Sequence, residues 1–454
     1  MANHYGDGDR LGGDGHAHER GGPYGGADAS GALSGSGPEP PRRFAVIGSG
    51  IAGLTAAYVL RAAGEVTLYE ADHRLGGHAH THEVTGSGGR PLAVDSGFIV
   101  YNERTYPLLT RLFGELGVST RETEMSMSVR CDGCTLEYAG GRGPGGLFAA
   151  PGTAARPAYL RMLGAVPRFH RAAHELLAGD SDITLGRFLR EREFSPYFAQ
   201  HFVLPLVSTV WSCPGVLATH YPARHLFRFL ANHGMLAVSG SPRWRTVLGG
   251  SREYVERIGK QITRIRRCTE VHAVVRHPDG VAVHDRAGGV RTYTGAVVAT
   301  HPAQALALLD RPTRHERDVL GAFAYERSSA VLHTDTTLLP RRAHASWNCR
   351  LPACGAGTAG VRVSYDMNRL QGLPTGERYV VTLNDDRAIA PERVLARMAY
   401  EHPVFTPEAV AAQRRLPELN RDRIAFAGAY HGWGFHEDGC RAGLAAAQSL
   451  GGRW

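Results

Sequence analysis

Lysine is all but missing from this chain: of its 51 basic residues only Lys260 is not arginine. The cations are dispersed among acids, as in "RHERD" and "REREF". The net charge of +8 therefore comes without a basic cluster interleaved with aromatics, which speaks against nucleic acid as a partner. A solvated mixed surface accounts for the charge, and peripheral contact with an anionic membrane is compatible with it. Long apolar runs are missing too: none approaches the roughly 18 residues needed to span a bilayer. No apolar stretch near the N-terminus reads as a secretory signal. Cysteine is scarce, with seven residues at no repeated spacing. An odd, scattered set makes no disulfide framework and fits a reducing compartment, so a cytoplasmic location is expected.

What is present divides the chain. At 454 residues it exceeds one small core, and about two to three domain equivalents are expected. Residues 1–41 are dominated by Gly, Ser, Asp, Pro and His, too little apolar area to offset ordering, and read as a disordered tail. Its histidines, His4, His16 and His18, belong to that bias rather than to a metal site.

Past the tail, "FAVIG" is a short apolar strand, and Gly48, Gly50 and Gly53 fall as G-x-G-x-x-G at the turn into "IAGLTAAYVLRAAG". Gly48 permits the tight turn, Gly50 lets backbone approach a pyrophosphate, and Gly53 lets the helix sit close to the sheet. Ile51 and Ala52 open that helix, where free N–H groups and the positive dipole end favour phosphate. The next strand, "EVTLYE", ends at Glu70, 22 positions after Gly48, where a carboxylate accepts hydrogen bonds from a ribose diol. A nicotinamide nucleotide needs nothing further. Yet Arg74-Leu75-Gly76-Gly77 and His78 follow, and a second glycine pair gives a second close backbone approach to a longer cofactor.

This extended fingerprint resembles the signature of the FAD-dependent amine oxidase and phytoene desaturase superfamily. "VLGGSREYVERI" (247–258), "TEVHAVV" with the later "GAVVATHPAQALALL", and "RIAFAGAYHGWGFHEDGCRAGLAAA" (423–447) carry the same resemblance, which covers most of residues 42–448. Within the superfamily the pattern is most similar to bacterial predicted NAD/FAD-binding proteins associated with fatty-acyl modification, such as desaturation of methylated chains. The resemblance implies an α/β fold: a discontinuous Rossmann-like FAD-binding domain (42–105, 243–325 and 415–454) with an inserted α+β substrate domain (106–242 and 326–414). It implies non-covalent FAD held by Gly48, Gly50, Ile51, Ala52, Gly53, Glu70, Arg74, Gly76, Gly77 and His78. The Val271 backbone would touch the adenine, Asp95 would lie near the ribityl side, and Gly428 would sit where the last strand meets the cofactor. His436 and Glu437 would open a final helix whose N–H groups stabilise charge on a reduced flavin. Together with His431 they are the candidate acid/base residues on the substrate side. The other reading is that all three only pack or cap that helix.

The shortage of lysine matters again here. Many amine oxidases place a lysine, through water, at the flavin N5, whereas Lys260 falls on the return helix of the FAD domain. An aromatic pair that would cage an amine is missing near the C-terminus unless Tyr430 and Trp433 serve. The expected activity is hydride removal from a C–H bond of an apolar substrate, a fatty-acyl chain or similar lipid. Amine oxidation is the alternative, and a non-catalytic flavin-binding partner of a lipid-modifying enzyme is the alternative of another class.

Other patterns have plainer readings. In the inserted region "PAYLRMLGAVPRFHRAAHELLAG" has helical spacing, and Asp182 stands where it could cap "ITLGRFLRE". "SSAVLHTDTTLLP", "GVRVSYDMNRLQ" and "RYVVTLN" alternate like antiparallel strands. "FVLPLVSTVWSCP" and "HLFRFLANHGML" read as helical core; if they line a tunnel instead, the substrate is long and apolar. His78, His80 and His82 have spacing two and could share a strand face, but read as cofactor contact or hydrogen-bonded loop. "CDGC" (Cys131, Cys134) has zinc-ligand spacing without a second pair, and Asp132-Gly133 reads as a two-residue hairpin turn. No metal is expected.

Overall fold

The fingerprint folds as its pattern predicts. In this computed structural model the described residues are 41–454, apart from Ser87, 212–214, 238–239 and 355–360. The tail expected over residues 1–41 lies, but for Pro41, outside them. The strand Arg43–Ile47 turns at Gly48, whose φ of +97° suits glycine, into the helix Ile51–Leu60. All ten residues of that helix are buried. A helix apolar on every side must be enclosed on every side, and here the sheet and the closing helix His436–Ser449 do so. Small residues set the spacing. A Cβ on Gly53 would lie 1.9 Å from the Gly48 carbonyl oxygen, and one on Gly443 would lie 2.2 Å from that of Ala52.

The parallel sheet at the centre of this half has the spatial order 264–266, 65–69, 43–47, 295–298, 424–426. Its strands come from three widely separated stretches of chain. Phe44, Val46 and Val297 face the helices, while Ala45, Ile47, Ala296 and Val298 face an antiparallel meander of 271–277, 280–285 and 290–293. Alternation along each strand thus supplies both cores.

The inserted region is built on a seven-stranded sheet in the order 394–404, 324–333, 380–383, 362–366, 347–351, 127–131, 136–140. It is antiparallel except where 347–351 runs alongside 127–131. Helices Pro157–Ala178, Leu185–Glu191, Leu204–Trp211 and Ala223–Asn232 pack beside it, around the buried ring of Phe169.

Several expectations are corrected here. Thr184, not Asp182, caps Leu185–Glu191: its side chain accepts from Arg187 N at 3.3 Å. Asp132-Gly133 is not a two-residue turn, because Cys131 pairs with Leu136 and leaves a four-residue loop with Thr135 at φ +58°. The boundaries at 105/106 and 414/415 also move. Leu109, Leu112 and Phe113 of the helix Pro107–Leu116 pack with the fingerprint helix, and Ala409 and Ala412 pack on the meander side of the sheet. The apolar faces of both pieces are thus covered by the half that holds the parallel sheet. Residues 41–454 pack as one unit. Among the described residues no helix is long and apolar enough to cross a membrane.

Candidate active site

A cavity of about 730 Å³ runs between the fingerprint turn and the helices and sheet of the inserted region. Gly48, Gly50, Ile51, Ala52, Glu70 and Gly77 wall one part of it, as the sequence reading expects. A Cβ on Gly50 would meet nothing within 4 Å, so the space beyond this residue is open. The helix that follows has no side-chain cap and no acid in its first turn, leaving its N–H groups free for an anionic ligand. Gly77, at φ +57°, would bring a Cβ to 3.1 Å from Gly50 Cα, so the two glycine turns lie back to back. Glu70 accepts hydrogen bonds from Ser49 N (3.0 Å), Ser49 Oγ (2.5 Å) and Asp72 N (2.9 Å), which fix its carboxylate at the cavity wall. Ser49 carries no motif signal of its own beyond its place between the first two glycines. Val271 and Gly428 are on the wall as well.

Three expected contacts stand behind that wall. Gly53 is consumed by packing against Gly48. Gly76, at φ +111°, donates its N–H to Ser49 O and Oγ, both at 3.1 Å, and shapes the turn. Arg74 reaches Asp72 at 3.5 Å and the Ala79 carbonyl at 3.5 Å, bracing the loop from outside the cavity. Asp95 is also turned away. It is buried and accepts from Thr81 Oγ1, Ser251 N and Oγ, and Gln371 Nε2 at 2.6–3.1 Å, while Ser96 and Gly97 take the cavity side.

His78 lines the cavity with its ring 5.0 Å from that of Tyr400 and 5.4 Å from that of His402. Burial drives its pKa well below the ordinary value, and Nε2 has no hydrogen-bond partner among the described residues. An orphaned buried nitrogen on the wall suits a bound ligand. His80 and His82 do not join it: they stack on each other at 4.1 Å, and His80, in the loop, bonds to Tyr400 while His82, on the strand Thr81–Thr85, bonds to Ser96.

The three candidate acid/base residues part company. His436 lies on the wall, its ring stacked on Phe98 at 3.7 Å and its Nε2 3.0 Å from the Tyr254 hydroxyl. Burial pushes its pKa down to about 3. Glu437, the next residue, faces away and accepts from Leu108 N (3.1 Å) and Leu109 N (3.0 Å), capping the helix Pro107–Leu116. His431 sits off the cavity on a tight turn behind Gly428, where burial lowers its pKa to about 4. Neither Glu437 nor His431 is on the cavity wall.

The family model for flavin-containing amine oxidoreductases matches residues 51–342, well over half of the chain. The chain belongs to that family. This flavin-containing amine oxidoreductase shares its fold with cyclohexylamine oxidase from Brevibacterium oxydans (16% identity, TM-score 0.66, covering 90% of this chain and 99% of that one). It also shares it with the CLA-producing fatty acid isomerase from P. acnes (15% identity, TM-score 0.62, covering 88% and 97%). The coproporphyrinogen III oxidase of Mycobacterium tuberculosis is 38% identical over 86 residues, a match that spans 18% of this chain and 18% of that relative. The chain is a FAD-dependent oxidoreductase, and its open Gly50, uncapped helix end, fixed Glu70 and unpartnered His78 fit that cofactor.

Much of the rest of the oxidoreductase's cavity wall is aromatic or aliphatic, with Thr209, His233, His301, Gln304 and His402 among its polar members. Trp211, Phe229 and Phe435 contact one another, and Trp347, Tyr365 and Leu383 close the sheet side. The segments "FVLPLVSTVWSCP" and "HLFRFLANHGML", read first as core, therefore supply wall as well as core. The wall's carboxylates are engaged: Glu70 as above, Glu270 with Arg286 at 2.7 Å, and Glu401 with His301 at 2.9 Å. Lys260 caps the end of the helix Arg252–Gly259 and is not on the wall, as expected. Tyr430, packed beside Gly428 and against Phe323, and Trp433 both lie on the wall.

Proposed function

We propose that this enzyme removes a hydride from a C–H bond of a long apolar substrate, a fatty-acyl chain in the first instance. The observation that carries this reading is the apolar part of the cavity wall, Trp211, Phe229, Trp347, Tyr365, Leu383 and Phe435, on a wall whose described residues include no lysine and whose carboxylates, Glu70, Glu270 and Glu401, are each already paired. Bound FAD supplies the hydride acceptor. The aromatic wall would hold the chain and exclude water from it. His436, neutral at physiological pH and tethered to Tyr254, would orient the reacting end by a hydrogen bond from the open end of its ring. If desaturation is the outcome, the substrate would lose a hydride and the neighbouring carbon's proton as its C=C bond forms, a balance that bound FAD would supply by reduction to FADH2, with oxygen or another acceptor as the terminal oxidant. An acyl chain carried on a phospholipid would also account for peripheral membrane contact by a protein of charge +8. The shared fold supports either substrate class, since one neighbour of this fold is a cyclohexylamine oxidase and another a fatty acid isomerase.

The test is anaerobic mixing of the yellow protein with phospholipid and amine panels while the flavin absorbance is followed. Bleaching by an acyl lipid is the expected result. Bleaching by an amine alone would replace this reading with amine oxidation. A flavin that no compound in either panel reduces would favour the non-catalytic partner.

A further inference from the structure

Four side chains of metal-ligating type meet away from the cavity. The four-residue loop after Met127–Cys131 folds Cys134 back beside Cys131, Cys354 arrives from the loop after Trp347–Leu351, and His201 comes from the turn Ala199–Val203. We propose that Cys131, Cys134, Cys354 and His201 bind one zinc ion as a structural Cys₃His site. The spacing of Cys131 and Cys134 signals only half of it in the sequence, because the other two ligands lie 223 residues from Cys131 and 67 residues from Cys134.

The geometry is close to what zinc requires. Cys131 Sγ lies 3.4 Å from Cys354 Sγ, and His201 Nε2 lies 3.5 Å from Cys134 Sγ and 3.6 Å from Cys354 Sγ. All four ligand atoms fall within 4.8 Å of one another. A tetrahedron with Zn–S of about 2.3 Å and Zn–N of about 2.0–2.1 Å spaces its corners roughly 3.4–3.8 Å apart, so three contacts already match and the widest closes by about one ångström. The sulfurs are well outside the bonded distance of a disulfide, about 2.03–2.05 Å.

The surroundings are those of a ligand set. His201 Nδ1 faces the Tyr197 carbonyl at 3.0 Å; donating there leaves the Nε2 lone pair toward the sulfurs, the tautomer a metal needs. Its ring stacks on Tyr197 at 4.1 Å, which fixes its plane. The turn that carries His201 has the widened π geometry that often marks functional positions. Gly133 is small for a reason, since a Cβ there would lie 2.7 Å from the Cys354 backbone nitrogen. Asp132 N donates to the Leu351 carbonyl at 2.9 Å, and the Asp132 carboxylate bridges Arg130 and Arg350, locking hairpin and loop together. Three thiolates around Zn²⁺ carry a net negative charge. The Arg156 guanidinium stands beside them, donating to the Cys134 carbonyl at 2.6 Å and to Thr135 Oγ1 at 2.9 Å.

Four protein ligands leave no open position, so this zinc would hold structure rather than activate water. What it would hold is specific. Trp347 begins the strand whose exit loop carries Cys354, and Trp211 ends the helix that continues from the turn of His201; both tryptophans line the cavity.

The experiment is metal analysis of the intact flavoprotein purified without chelator, beside the variants Cys131→Ser/Cys134→Ser and His201→Ala, with flavin absorbance reporting correct folding. About one zinc per chain in the wild type, lost in the double variant and diminished in His201→Ala, is expected. Should the variants not fold, cobalt replaces zinc in the wild-type protein. Red-region bands of tetrahedral thiolate-bound cobalt support the site, and their absence overturns it. Zinc well below one per chain, zinc retained in the folded double variant, or a disulfide between any two of these cysteines would also overturn it.

Discussion

His436 opens a helix, stacks on Phe98 and lies 3.0 Å from the Tyr254 hydroxyl, contacts that enclose its ring. Burial alone lowers its pKa to about 3, and the positive end of the helix dipole acts in the same direction. At neutral pH the ring is therefore a hydrogen-bonding group and not a proton acceptor. His436→Ala is expected to keep FAD bound and to slow flavin reduction by about tenfold or less, short of the 10²–10⁴-fold loss typical of a missing general base. The rate should also stay level between about pH 6 and 8, outside the titration of a ring so displaced. Stopped-flow reduction per mole of bound FAD measures both, and a loss beyond about 100-fold with an inflection near neutrality would restore the base. Residue-scale constraints were legible unevenly. Gly48, Gly50, Gly77 and Glu70 stand where the sequence pattern puts them, because a missing side chain or a strand-end acid is a local requirement. The places of Glu437 and His431 off the wall were not legible, because the direction a side chain takes from a turn or a first helical turn depends on its neighbours. His436 and Glu437 are consecutive, about 100° apart around one helix, and so serve a cavity and a distant helix respectively.

That distant helix, Pro107–Leu116, lacks a side-chain cap of its own and takes one from Glu437, 329 residues ahead. Burial raises the Glu437 pKa while the two backbone N–H bonds pull it down, so the carboxylate is held by the groups it caps. Removing it strands two N–H groups in a dry interface. Glu437→Ala should therefore cost about 1–3 kcal/mol of stability, read as a lower denaturant midpoint, with reduction per bound flavin unchanged. The opposite pattern, intact stability and slow reduction, would return Glu437 to the reacting atoms. Elements with local signals, such as the fingerprint strand and helix or Pro157–Ala178, were readable. Membership was not: the apolar stripe of Pro107–Leu116 looks the same whichever core covers it. The loop carrying Cys354 has no periodicity at all to mark what it approaches.

Across the whole molecule, Asp95 ties three regions: the strand that bears it, the helix start at Ser251, and Gln371 at the end of the inserted region's helix Met367–Gln371. Burial, against its hydrogen bonds, raises its pKa from 3.8 to about 6. A raised carboxyl favours the folded state below the unfolded value, and that contribution is lost as pH rises through the folded one. Asp95→Asn lacks this titration. Its stability relative to wild type should improve by up to about 3 kcal/mol as pH rises from about 4 to 7, measured by urea unfolding at both ends. A difference that does not change with pH would show the carboxyl to be unshifted. The fold class was legible at this scale because the order strand, glycine turn, helix, strand, acid and second glycine pair survives any packing detail; the cavity walls were not, being assembled from many distant segments. The same interleaving governs how the protein is made. Thr55 of the fingerprint helix touches Cys440 of the closing helix across 385 residues. At translation rates of about 5–20 residues per second, the nascent fingerprint waits roughly 20–80 s for the helix that covers it. Throughout that interval a wholly apolar helix is bare on one side. The wall of the cavity, to which Gly428 and His436 contribute, is thus complete only after nearly the whole chain has been made.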